Sequence, residues 1–176
     1  LALALEAQQI RIEAPILGKS LVGIEVPNQK GETVRIKDIF QSKEYEKGKS
    51  KLSFALGRDV AGDIVTYDLN KAPHLLVAGA TGTGKSVTIN ALLLSLLYRN
   101  SPSELKLILV DPKHVEMTLY NNIPHLLTPV ITESDKTVSA LKWAVAEMER
   151  RLKLLAEYGK RDIGEIAHQH IGHGEQ

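Results

Sequence analysis

Residues 75 to 90 read Leu75-Leu76-Val77-Ala78-Gly79-Ala80-Thr81-Gly82-Thr83-Gly84-Lys85-Ser86-Val87-Thr88-Ile89-Asn90. Within them Gly79, Gly84, Lys85 and Ser86 fall at the spacing G-x-x-x-x-G-K-S/T of a phosphate-binding loop. Glycines at 79, 82 and 84 let the backbone turn through positive φ and close around a phosphate with no Cβ in the way. Successive N–H groups then form an anion-binding hollow, reinforced by the N-terminus of the helix that follows. Lys85 has the reach to meet β- and γ-phosphate oxygens and is the candidate catalytic residue, while the Ser86 hydroxyl is placed to ligate Mg²⁺. The flanks agree with the motif. Leu75 to Ala78 is an apolar run that predicts a buried strand, and Val87 to Arg99 has helix length without Gly or Pro.

Downstream, Leu105 to Val110 is apolar except for Lys106, which predicts a central parallel strand covered on both faces. Strand, helix, strand makes a βαβ unit, hence a parallel sheet with a right-handed crossover. The intervening helix is apolar on nearly every side, which predicts burial. Asp111 ends the second strand and is followed by Pro112. It reads either as the Mg²⁺-side aspartate of the site or as a polar residue at the carboxyl end of a neighbouring strand; Glu116 is a possible water-orienting carboxylate. From Ser134 or Asp135 to Tyr158, Val138, Leu141, Val145, Met148, Leu152 and Leu155 recur at three- and four-residue steps. That seam predicts a long helix lying on the sheet, with Gly159 as its stop. Periodicity fades after Asp162, so His168, His170 and His173 are expected in an irregular tail rather than a metal site.

Upstream, Ile10 to Ala14 and Val22 to Val26 alternate as two short strands, with Gly18-Lys19-Ser20 as a turn. Asp38 to Phe40 begins a small helix. Ser42 to Lys51 holds Lys43, Lys47, Lys49 and Lys51; it reads first as a solvated linker, and alternatively as a mobile basic loop beside a polyanion. Two further strands, Leu52 to Leu56 and Ile64 to Leu69, flank a turn at Gly57 to Asp63 that carries Arg58. The opening Leu1-Ala2-Leu3-Ala4-Leu5 reads as the end of a helix cut from a longer protein.

Composition narrows the class further. The chain has 176 residues, no cysteine and a formal net charge of +1. Disulfides and cysteine-based metal or redox chemistry are therefore excluded, and any basic surface has to be local. No run of 18 or more apolar residues is present to span a bilayer.

Taken together, Pro73 to Val87, then Asp111-Pro112-Lys113, then Ile123-Pro124-His125-Leu126-Leu127 resemble the bacterial FtsK/SpoIIIE DNA translocases. Ile10 to Ile16, Gly18-Lys19-Ser20, Gly23 to Asn28 and Ala144 to Arg151 resemble the same family, so the likeness runs from residue 1 to residue 163. It implies an α/β fold: a truncated P-loop NTPase (RecA-like) parallel sheet preceded by a small α/β domain. The division it suggests is 1–50 for the small domain and linker, 51–163 for the motor portion and 164–176 for a tail. It implies ATP-driven movement along double-stranded DNA by a homo-hexameric ring, in chromosome segregation at division or sporulation. The whole protein would be anchored at the cytoplasmic face of the bacterial cell membrane through another region. ATP would be held by Gly79, Ala80, Thr81, Gly82, Thr83, Gly84, Lys85, Ser86 and Val87, with Mg²⁺ on Ser86. In the family the Mg²⁺-binding Asp-Glu strand is separate from the Asp111 element and comes later. No Asp-Glu pair follows residue 113, so ATP hydrolysis by this segment alone is not expected. Two other readings remain: a secretion-type ring ATPase that moves protein, and a non-catalytic nucleotide-binding module.

Overall fold

The computed structural model describes residues 10–16, 20–28, 30–72 and 74–160. The helix remnant at Leu1 to Gln9, the turn at Gly18-Lys19, the placement of Pro73 and the histidine-bearing tail lie outside the described residues. The chain forms two compact units, residues 1–100 and 101–176.

The first unit begins with β1 (Arg11–Glu13) and β2 (Gly23–Glu25), antiparallel, with Ile12 opposite Ile24. Helix α1 (Ile36–Phe40) and the short α2 (Lys43–Glu46) follow. The run expected as a solvated linker is thus folded, because its one aromatic residue, Tyr45, is buried, and Ser42 caps the turn by accepting the Tyr45 N–H at 3.1 Å. Strands β3 (Ser53–Arg58) and β4 (Ile64–Asp68) form the predicted hairpin, with an irregularity between Ala55 and Gly57. Its turn is built by Asp59, whose Oδ1 accepts the N–H groups of Ala61 and Asp63, both at 2.9 Å. Ile39, Tyr45 and Ala55 make a buried cluster, with Phe40 and Ile64 against it.

Helix α3 (Lys85–Arg99) packs on β3. Leu93, Ser95 and Leu96 are buried, while Val87 and Tyr98 stay exposed. The expectation of a helix buried on all sides is therefore corrected: one stripe packs on the hairpin, Tyr98 stacks on Phe40 with its ring centre 4.8 Å away, and other positions stay exposed. The predicted strand at Leu75 to Ala78 is corrected as well. Those residues form no strand, and Leu76 is 90% exposed. An apolar run becomes a strand only when its N–H and C=O groups pair sideways, and among the described residues no strand pairs with it.

In the second unit, the backbone from Leu107 to Asp111 runs parallel to that from Leu126 to Ile131, bridging at Leu107–Leu126 and Val110–Ile131. Leu107 N–H donates to His125 O at 2.8 Å and Asp111 N–H to Ile131 O at 2.8 Å. The parallel direction agrees with the expected α/β class. The central strand covered on both faces does not form, since among the described residues its pairing is confined to these bridges and Val110 is 38% exposed. Between the two segments the chain turns through a 3₁₀ stretch, Thr118–Tyr120, with Met117 and Tyr120 buried.

Helix α4 (Ser134–Glu157) ends as predicted. Gly159 takes φ 60°, and the N–H groups of Gly159 and Lys160 bond to Ala156 O and Leu155 O. That crossed pair is the Schellman arrangement, which favours a residue without Cβ. The seam expected to lie on a sheet is exposed in this unit, with Leu141 at 63% and Leu152 at 56%. A shallow cleft between helix and backbone is lined by Lys106, Ile108, Leu127, Trp143 and Met148. That contact leaves most of the seam in solvent, because two paired segments are too narrow a layer to cover a helix of 24 residues.

Candidate nucleotide site

Residues 79 to 87 form one continuous loop and helix start. Gly82 and Gly84 have φ of 84° and 95°, left-handed values that cost an L side chain about 1–2 kcal/mol. Between them Thr83 folds back on the loop: its N–H and its Oγ1 both donate to Ala80 O, at 3.2 and 2.8 Å. At Gly79 the reason is different, since a Cβ there would meet Thr83 Oγ1 and make that side chain swing away from Ala80 O. The loop is therefore drawn tight by one threonine, and the glycines sit where the backbone has no room or no alternative.

Gly84 is the N-cap of α3, and the helix takes no side-chain cap and has no acid in its first turn. Thr88 N–H closes the first helical bond onto Gly84 O at 2.8 Å. The first N–H groups of such a helix, with the partial positive charge of its dipole, suit an anion. Thr81, Thr83, Lys85 and Val87 are exposed and Ser86 is half-buried. The donor set fits a triphosphate: backbone N–H groups, one ammonium, one hydroxyl and space left by missing Cβ atoms. Magnesium is less fully provided for. Ser86 supplies one oxygen, and the described residues contain no group of three or more His, Asp or Glu able to hold a metal ion.

What holds α3, and so the loop, was not legible as a motif. Ser95 has no exposed surface. Its Oγ donates to Ala91 O at 2.6 Å and accepts the Ala55 N–H of β3 at 3.1 Å. At the helix C-terminus, Arg99 donates to Gly48 O at 2.9 Å and to Tyr45 O, and its guanidinium lies 3.9 Å from the Tyr45 ring centre. Asn100 donates to Lys51 O at 2.8 Å. A lone serine amid leucines was the available signal for Ser95; nothing local marked Arg99.

Asp111 belongs to the second unit and is buried. Oδ2 accepts the N–H groups of Glu116 and Met117, each at 2.9 Å, and Oδ1 accepts that of Lys113 at 3.3 Å. The Met117 and Glu116 N–H bonds hold its carboxyl below the ordinary value of 3.8. These bonds shape the loop of residues 112–117. Arg58 donates to Gly62 O at 2.7 Å and closes its own turn.

The sequence model of the FtsK/SpoIIIE family matches residues 35–176, and that of the FtsK alpha domain matches residues 1–28. The chain is 57% identical over 163 residues to the DNA translocase FtsK of Caldanaerobacter subterraneus subsp. tengcongensis, covering 93% of this chain and 23% of that protein. It is 54% identical over 161 residues to the DNA translocase SftA of Bacillus subtilis, covering 92% of this chain and 17% of that one. The chain thus spans about a fifth of the length of such curated relatives. Among solved structures, the pCW3 conjugation coupling protein TcpA, in monomer form with ATPgS, is similar at TM-score 0.59 and 29% identity, over 89% of this chain and 41% of that one. With these likenesses the α/β, P-loop NTPase class inferred from the sequence stands.

Proposed function

The chain belongs to the FtsK/SpoIIIE family, and on that premise we propose that it is part of an ATP-driven motor that moves double-stranded DNA in chromosome segregation at cell division or sporulation. The observation that carries the reading is the loop Gly79 to Ser86, with left-handed Gly82 and Gly84 opening onto the uncapped start of α3. In this proposal the backbone from Gly79 to Val87 cradles the phosphates of ATP, Lys85 neutralises the β- and γ-oxygens, and the Ser86 hydroxyl contributes to the Mg²⁺ shell. Bound ATP with Mg²⁺ supplies the phosphoryl-transfer free energy; the chain's own share is to bind and orient. Asp111 is assigned the shaping of the 112–117 loop in preference to a place on the metal. Hydrolysis then requires a further acidic strand, because no Asp-Glu pair follows residue 113 in this sequence.

We assign residues 1–50 to the small domain, 51–163 to the motor and 164–176 to a tail. The working form is proposed to be a homo-hexamer around DNA, anchored through another region at the cytoplasmic face of the bacterial membrane. No helix among the described residues is long and apolar enough to cross a membrane.

The test is ATP turnover by a longer chain that carries this segment with its Asp-Glu strand, with and without duplex DNA. Stimulation by DNA is expected, together with loss of turnover in Lys85→Ala. No stimulation would count against translocation; unchanged turnover in Lys85→Ala would refute the site.

A further inference from the structure

We propose that the outward face of α2 and the turn after it, carrying Lys43, Lys47 and Lys49, is a docking surface for the phosphate backbone of duplex nucleic acid. The proposal rests on the DNA-motor reading for its choice of partner and on the fold of this segment for its location.

Three observations converge. The segment is held in place at considerable conformational cost, from several directions at once. Tyr45 is 2% exposed under the Arg99 guanidinium. Arg99 also holds Tyr45 O and Gly48 O, Asn100 holds Lys51 O, and Ser50 Oγ donates to Asp68 Oδ1 at 2.8 Å. Fixing a backbone costs roughly 1–2 kcal/mol per residue, so this stretch is an ordered platform where a linker would be a coil. The second observation is what the platform displays. At 3.6 residues per turn, Lys43 and Lys47 lie one turn apart on the side opposite the buried Tyr45, so the outermost line of α2 is lysine, with Glu44 and Glu46 on the flanks. Lys43, Lys47 and Lys49 are exposed, and none of them forms a salt bridge among the described residues. In a chain of net charge +1, four lysines against two glutamates between residues 43 and 51 make a local excess.

The third observation selects the partner. A helix that lies on an anionic membrane needs an exposed apolar face to sink into the headgroup layer. Here the apolar residue is turned inward, and no large exposed hydrophobic side chain occurs between Val34 and Leu56. Unpaired ammonium groups on a polar, rigid surface suit phosphates that stay in water.

Counterion release makes the idea measurable, because each phosphate contact contributes about 0.9 to the slope of log affinity against log salt. The experiment compares the full 176-residue chain with its K43Q/K47Q/K49Q variant, binding a short duplex DNA between 50 and 200 mM salt. Removing three contacts is expected to lower the slope by about 2.7, so that across this fourfold range the parent loses roughly 40-fold more affinity than the variant. A control variant, K30Q/K142Q/K153Q, changes the net charge equally and is expected to keep the parental slope. Equal slopes for parent and K43Q/K47Q/K49Q, or an equal fall in both variants, would overturn the proposal. So would an absence of DNA binding by the parent, or binding to phosphatidylserine vesicles in place of DNA. ATP binding, measured in the same samples, separates the two readings: it reports on the Gly79 to Ser86 loop whatever the lysines do.

Discussion

Replacing Ser95 by Ala tests how the helix that carries the phosphate loop is held. The hydroxyl is the acceptor for the Ala55 N–H of β3 at 3.1 Å, in a place with no solvent at Ser95 and 2% exposure at Ala55. In Ser95→Ala that N–H stays buried with its partner gone, at a cost of about 1–3 kcal/mol. Alanine recovers roughly 0.5 kcal/mol of helix propensity, which the first effect outweighs. The net loss is then about 1.5 kcal/mol, and with a urea dependence near 2 kcal/mol per molar it lowers the unfolding midpoint by about 0.75 M. Urea titration followed by circular dichroism reads the midpoint, and amide hydrogen exchange reads Ala55 itself, which should lose protection ahead of its neighbours in β3. A midpoint at or above the parent's, with the Ala55 amide still slow, would refute the assignment of Ser95 as the fastening between α3 and the hairpin.

Substituting Gly84 by Ala should cost about 1–2 kcal/mol through its left-handed backbone and weaken ATP binding by misdirecting the first N–H groups of α3; calorimetric titration with Mg·ATP and a thermal melt check the two effects separately. Acid should loosen α4. Glu147 accepts from Arg150 Nε at 2.7 Å and from Arg151 Nε at 2.7 Å, and those hydrogen bonds lower its pKa from 4.5 to about 2. A depressed carboxyl stabilises the fold above its unfolded pKa and loses that contribution as pH falls through the folded one. Helicity should therefore decline between pH 4.5 and about 2, and Glu147→Gln should flatten that part of the titration; an unchanged profile would dismiss the pair as an exposed contact without consequence. Asp111, lowered by the Met117 and Glu116 N–H groups, adds a contribution of the same sign.

Local chemistry was legible wherever one short stretch contained its own explanation. The glycine spacing dictates Gly82 and Gly84, since a loop that wraps a phosphate has to pass through φ that only glycine takes cheaply. The seam from Val138 to Leu155 and the stop at Gly159 set the length of α4 in the same way, and the two runs 52–56 and 64–69 around the turn at Gly57 to Asp63 set the hairpin. These are near-neighbour effects, complete within a few residues. Tertiary structure decided whatever depends on a partner. Leu75 to Ala78 and Leu105 to Val110 read as covered strands, but strand status is conferred by lateral hydrogen bonds that no composition guarantees. Tyr45 turned a polar run into a platform because Arg99, 54 residues away in sequence, reaches its carbonyl and its ring. The hydrogen bonds that Asp111 accepts from the backbone of Lys113, Glu116 and Met117 likewise had no local mark in the sequence. The sequence alone determined the glycine spacing of residues 79 to 84 and the helix that follows; only the folded chain decided what anchors that loop, because hydrogen bonds between distant residues leave no periodic mark on the sequence.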